Sequence, residues 1–277
     1  MTDDTDPQTS DDASHPRTRI LVPLPILEGG AVSAGLADLL EPLDVTVLGF
    51  HVLPEQTPPD QARLQYEDRA TDALEDLAVE FGAEDGTADY RLVFTHDRKQ
   101  TIDRVAAATT AGVYVVPGAT GPVERLLVAL TGDVAVDHVC AFTAELVGDR
   151  DIEVTLFLAT DDEAAGRDLL EAARERLTDR GIDVQTDLAV DVAPLEALVD
   201  AAADHDAVVM GERAPSLRSL VFGEEAERIA AESVGPVFVV RRLEGDDGEE
   251  RTLEGDGEGT ESDAARDDDG EQSKDGG

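Results

Sequence analysis

The chain has 277 residues, of which 63 are acidic and 22 basic, for a formal net charge of −41. That charge excludes general binding to nucleic acid or to anionic membranes, which are held by basic patches. Hydrophobic residues still make up 41% of the chain, enough for a real core, so the charge does not imply disorder throughout.

The positive charge is carried almost wholly by arginine, since lysine occurs only at Lys99 and Lys274. Excess Asp and Glu with so little Lys is a halophilic composition, suited to a salt-rich cytoplasm where ions screen the self-repulsion. The single cysteine, Cys140, makes no internal disulfide and no cysteine-based zinc site. No apolar run is long enough to span a bilayer and the start carries no signal-peptide pattern, so a cytoplasmic location is expected.

In chain order, residues 1–17 are rich in Asp, Thr, Ser and Pro and are expected to be a disordered tail. "RILVPL" (Arg19 to Leu24) is an expected buried strand. "AVSAGLADLLEPL" follows as a helix and "DVTVLGFHVL" as a strand. In "EDRATDALEDLAVEF", Ala70, Leu74, Leu77, Ala78 and Phe81 fall on one helical stripe. "YRLVFTHD" is a third strand, "QTIDRVAAATTAG" a third helix and "VYVVPG" a fourth strand. The order then begins again. "ERLLVALTGD", "DIEVTLFLATDD", "IDVQTDLAVD" and "AVVMGE" are strands. "VAVDHVCAFTAELVG", "EAAGRDLLEAARERLTDRG" and "PLEALVDAAADHD" are the helices between them. Only this second pass continues, through a helix "GEEAERIAAES" and a strand "PVFVVRR". Strands alternating with helices imply parallel βαβ units, here written twice. The expected domains are therefore a first unit at 18–122, lacking its last helix and strand, and a second at 123–242. Residues 243–277, nearly all Gly, Asp and Glu, form an acidic disordered tail.

Among single residues, His96 and Asp97 end the third strand, the edge where open α/β sheets bind ligands. Asp97 is expected to cap the helix that begins near Arg98, and His96 to be exposed. Asp191 holds the matching place in the second unit. Cys140 shares a helical face with Val136, Val139 and Thr143 and is expected to be a small core residue. Asp161, Asp162 and Glu163 open a helix, where carboxylates suit the dipole. His205 ends one, where an imidazolium would suit it. No spacing makes a metal site, and no nucleophile–base pair or Walker lysine occurs, so no catalytic residue and no metal ligand is assigned.

The strand–helix order, the glycine-containing loop after the fourth strand and the closing "GPVFVVRR" resemble the universal stress protein (UspA-like) family. The resemblance covers Arg19 to Arg242 as two tandem copies. It implies an α/β fold of Rossmann-like, adenine nucleotide alpha hydrolase-like units with mostly parallel sheets, and dimerisation through the last strand. Nucleotide-binding members carry a G-x₂-G-x₉-G-[ST] loop and an acidic residue at the end of strand one. Here Gly211 matches the first glycine, Ala214 stands at the second, and Gly223 matches the third one residue short. Glu224 replaces the hydroxyl residue. In the first copy Gly118 and Gly121 match G-x₂-G, but Pro122 and the next repeat follow at once. Pro25 and Thr131 occupy the acidic position, with Asp133 two residues beyond Thr131.

The resemblance implies a nucleotide site at Gly211, Arg213, Gly223, Thr131 and Asp133. Glu224 and Glu225 repel a polyphosphate there, because close like charges cost a few kcal/mol. Arg213 and Arg218 and a helix N-terminus favour the anion. The expectation is a degenerate loop with no bound cofactor. The protein is then a non-enzymatic stress-response protein acting on unknown protein partners, and its last strand, Pro236 to Val240, is expected either to pair across the internal interface or to form a homodimer with the same strand of a second copy. The alternatives are an ATP-binding sensor using the second-copy loop and a nucleotide hydrolase, the last on fold analogy alone.

Overall fold

The computed structural model describes residues 18–29, 32–80, 89–130, 135–211 and 235–241. All of them lie in one compact unit, Met1–Leu243. The tails expected at 1–17 and 243–277 and the helix expected at Gly223–Ser233 fall outside the described residues.

The strands are β1 (Arg19–Pro25), β2 (Asp44–Val52), β3 (Asp89–Thr95), β4 (Val113–Val116), β5 (Arg125–Ala129), β6 (Glu153–Thr160), β7 (Val184–Val190), β8 (Ala207–Gly211) and β9 (Val237–Val240). The helices are α1 (Ala34–Leu40), α2 (Pro59–Glu80), α3 (Arg98–Ala108), α4 (Val136–Val147), α5 (Glu163–Thr178) and α6 (Pro194–Ala202). The element order matches the sequence expectation. The largest boundary difference is at α2, which starts at Pro59, eight residues before the expected helical stretch begins at Glu67. Proline in a first turn and Asp60 beside it are ordinary start signals, because the turn needs no N–H there and favours a carboxylate.

All nine strands form one sheet, in the order β3-β2-β1-β4-β9-β8-β5-β6-β7. Strands β1–β4 pair in parallel, and so do β5–β9. Among the described residues, the one antiparallel pair is β4 with β9, in register from Val113 opposite Val240 to Val116 opposite Val237. The two stretches expected as units thus contribute four and five strands to a single sheet, and they run in opposite directions. The order 3-2-1-4 of the first recurs as 7-6-5-8 in the second. The place of a fifth strand beside β4 is taken by β9.

The central strands are apolar because both their faces are covered. Every residue of β4, β8 and β9 is buried. Helices α1, α2, α4 and α5 pack on one face, through Leu36, Leu74, Phe142 and Leu170 among others. Helices α3 and α6 pack on the other, through Ile102, Val105 and Leu198. On the first face Phe142 of α4 meets Phe238 of β9 at a ring separation of 5.8 Å. The halves are also tied through side chains. The Thr18 backbone N–H donates to both carboxylate oxygens of Glu145, at 3.0 and 3.3 Å. Arg150, after α4, donates to the Asp38 carbonyl of α1. Burial pulls the Arg150 guanidinium below its usual range, and Glu41 and Asp38 oppose that pull.

Both edges of β9 are used within the chain. It pairs with β4 on one side and β8 on the other, which is the internal one of the two pairings expected for this strand.

Candidate functional site

In an open α/β sheet, ligands bind beyond the carboxyl ends of the strands where the order reverses. Strand order puts one such point between β1 and β4 and another between β5 and β8. Because the halves run in opposite directions, these two points lie at opposite edges of the sheet.

At the second point, Ala129 of β5 stands opposite Met210 of β8, and Gly211 ends β8 opposite Val240. Gly211 is therefore beside the strand end that leads to Thr131 and Asp133. Thr131, Asp133, Arg213 and Gly223 lie outside the described residues, as does Glu224. Of the five residues expected at a nucleotide site, the structure places Gly211 alone.

The first point lies among the described residues apart from 30 and 31. Strand β1 ends at Pro25, opposite Phe50. A turn follows, closed by the Glu28 N–H on the Pro25 carbonyl at 3.1 Å, with Gly29 at a φ of +82°. Pro25 offers a ligand no side-chain donor or acceptor. The loop after β4 is in close contact with backbone on two sides. A Cβ built on Gly118 would stand 2.2 Å from the Gly235 carbonyl and 2.7 Å from the Pro236 nitrogen. A Cβ built on Gly35, in the first turn of α1, would stand 1.7 Å from the Gly121 carbonyl oxygen. The Ser33 hydroxyl donates to the Gly118 carbonyl at 3.2 Å. A third close approach continues the series, since a Cβ on Gly235 would meet the Asp206 carbonyl oxygen at 2.1 Å. Asp206 in turn accepts from the Glu124 and Arg125 backbone N–H groups at 3.0 and 2.8 Å. Sequence reasoning picked out Gly118 and Gly121 but missed Gly35, Gly235 and Asp206. Gly118 and Gly235 are neighbours through the β4–β9 pairing, which no local pattern announces.

The remaining candidates have structural roles. Asp97 caps α3, accepting from the Gln100 N–H at 2.9 Å. His96 is exposed, with Nε2 3.0 Å from the Thr57 carbonyl. Asp162 caps α5 through the Ala164 and Ala165 N–H groups. Asp191 does not repeat the cap of Asp97. It takes a φ of +57° in the turn, and α6 is capped at Ala193 with no side-chain bond. The Pro194 ring supplies no N–H, so the first turn of α6 has one donor fewer to satisfy. Cys140 is fully buried, and burial pushes its thiol up to about 11, with Arg176 as the chief opposing charge. His205 holds the Ala201 carbonyl at 2.7 Å. His51 lies between Tyr66 and Phe94, with Nδ1 3.8 Å from the Glu28 carboxylate. A cleft of about 410 Å³ opens between the ends of α4 and α5 and the starts of β6 and β7, lined by Asp151, Glu153 and Asp183. Among the described residues, no group of three or more His, Cys, Asp or Glu is placed to hold a metal ion. No described helix is long and apolar enough to cross a membrane.

No family model matches the sequence, and no curated protein matches it. Several of the structural neighbours are universal stress proteins. The chain is similar to a universal stress protein from Archaeoglobus fulgidus DSM 4304, with a TM-score of 0.58 and 18% identity over 83% of this chain and 97% of that one. It is also similar to a putative universal stress protein from Pseudomonas aeruginosa UCBPP-PA14, with a TM-score of 0.46 and 14% identity over 82% and 94%. A universal stress protein in complex with cAMP aligns with 44% of this chain and 99% of its own, at a TM-score of 0.32 and 20% identity. At these identities the likeness is one of fold: an α/β architecture with a mostly parallel, Rossmann-type sheet.

Proposed function

We propose that the chain is a universal-stress-protein-like, non-enzymatic protein of a salt-rich cytoplasm, built from two tandem copies and acting through protein contacts. The observation that supports this best is the likeness to the Archaeoglobus fulgidus protein, which extends over 97% of that chain. The mirrored strand orders, 3-2-1-4 and 7-6-5-8, support the reading as a tandem pair whose first copy is truncated. The sequence supports a degenerate nucleotide loop, with Glu224 and Glu225 where an anion would dock. The reading is tested by extracting protein purified from a high-salt lysate with acid and assaying the extract for adenine nucleotide. The expected result is none, with no ATP hydrolysis by the intact protein. The halophilic part of the reading has its own test. The melting temperature rises with potassium chloride, as screening relieves the repulsion of a −41 chain.

A second reading, favoured by the position of Gly211 where the second half's strand order reverses, is an adenine-nucleotide sensor. Gly211, Arg213, Gly223, Thr131 and Asp133 would then form its site. Nucleotide recovered in a fixed ratio to protein, without hydrolysis, selects this reading over the first.

A further inference from the structure

We infer that the Gly118–Gly121 loop is not a ligand loop in this chain but a seam. It receives the Gly235–Pro236 entry to β9 against Gly118 and the first turn of α1 against Gly121. The inference rests on reading residues 18–122 as a repeat of a glycine-loop unit only for its contrast with ligand binding. The seam itself rests on geometry.

Three observations converge. First, Gly118 is buried, and its α-carbon faces backbone of the other half at distances that leave no room for a methyl group. A phosphate needs a loop whose N–H groups open onto free space, and the space at Gly118 is filled by Gly235 and Pro236. Second, the two glycines of the G-x₂-G match are used differently. Gly121 has nothing within 4 Å of a built Cβ, and neither it nor Gly118 has a positive φ. A ligand loop would need both glycines for close approach to the anion, whereas a seam needs Gly118 and tolerates a methyl group at Gly121. Third, the contacts form a continuous series of backbone approaches. It runs from α1 through the β4 loop to Gly235, then to Asp206 and the start of β5. Of these links, Gly118 to Gly235 joins the first half to the entry of β9, while Gly35 to Gly121 lies within the first half and Gly235 to Asp206 within the second. The loop that closes the first half is thereby the place where the entry to β9 meets it.

The test uses full-length protein in molar potassium chloride, with Gly118→Ala and Gly121→Ala compared by thermal unfolding and by calorimetric titration with ATP. A methyl group at Gly118 must displace backbone, so the melting temperature of Gly118→Ala falls by roughly 4 °C or more, while Gly121→Ala stays within about 1 °C of the parent. Neither variant changes the ATP titration, whether the parent binds ATP or not. A Gly118→Ala variant that melts with the parent overturns the inference. So does a Gly121→Ala variant that loses ATP binding the parent shows. If Gly118→Ala is insoluble, Ser33→Ala serves instead, since it removes only the hydroxyl bond to the Gly118 carbonyl. Faster hydrogen exchange at the Val237–Val240 amides, with β6 unchanged, then supports the seam, and unchanged exchange at β9 overturns it. Nucleotide binding by the parent decides the proposed function, and the melting comparison decides the seam, so the two fail separately.

Discussion

Cys140 shows how far burial alone sets the chemistry of a side chain. It is the only thiol, it lies fully within the α4 core, and burial holds it protonated up to about pH 11. A thiol reacts as thiolate, so native protein at pH 8 is expected to resist a disulfide reagent that labels it quickly in denaturant. Immediate labelling of the native state would contradict the burial. The linkage has a definite sign. The folded value lies above the ordinary value of 9.0, so the unfolded chain ionises first and the thiol lowers stability as pH climbs from about 9 towards 11. Below that window it has no effect. Asp97 carries a different kind of residue-scale weight. Its carboxylate satisfies one of the four N–H groups left open at the start of α3. Asp97→Ala is expected to cost about 1 kcal/mol in chemical denaturation. Asp191→Asn removes no cap and keeps a residue that tolerates the positive φ at this position, which makes it the control.

At the scale of elements, β9 is the part on which most depends. It has four residues, all buried, and it pairs in parallel with β8 and antiparallel with β4. Fully burying a side chain such as Val or Phe is worth roughly 1.5–3 kcal/mol relative to exposure, so a short strand can still hold two halves together. The Arg241 N–H donates to the Gly112 carbonyl at 2.8 Å, which puts the next pair, Val113 and Val240, at a non-hydrogen-bonded position. There the α-carbons of an antiparallel pair are about 4.5 Å apart, within reach of a disulfide. The double variant Val113→Cys, Val240→Cys is expected to cross-link within one chain on oxidation. A ladder of linked dimers on a non-reducing gel would show β9 pairing between copies instead. Much of this level was legible in the sequence. The alternation of strands and helices, the Asp97 cap and the core face of α4 all follow from periodicity and residue chemistry over a few turns. The start of α2 was missed because "PDQARLQY" carries little apolar periodicity. Only Ala62 in that stretch is buried, while Leu64 is 91% exposed. The β4–β9 pairing was legible only as one of two choices, because an all-apolar strand of four residues does not name its neighbour. The candidate site was legible as a loop position, but the occupants of the first loop come from residues about 115 positions away, beyond any local pattern.

Considered whole, the molecule is a sheet of two opposed parallel halves with one strand shared at the join. Ile20 of β1 stands beside Val113 of β4, and Val113 stands beside Val240 of β9. The first and last described residues, Thr18 and Arg241, therefore emerge from the same edge with one strand between them. Two strand spacings amount to about 10 Å. A linker of a few Gly and Ser residues spans that distance, and the core can be closed into a ring without moving an element. New ends can then be opened at the turn after α5, where Asp179, Arg180 and Gly181 are exposed and Gly181 takes a φ of +83°. A circular permutant joined from Arg241 to Thr18 and cut between Arg180 and Gly181 is expected to fold, with a circular dichroism spectrum matching that of residues 18–241 in the native order. Failure to fold would mean that the order of synthesis, and not only the final neighbourhood of strands, is needed to bring β9 between the halves. A chain that survives the cut would be a ring of two arcs, joined at β4 and β9 and indifferent to where its thread begins.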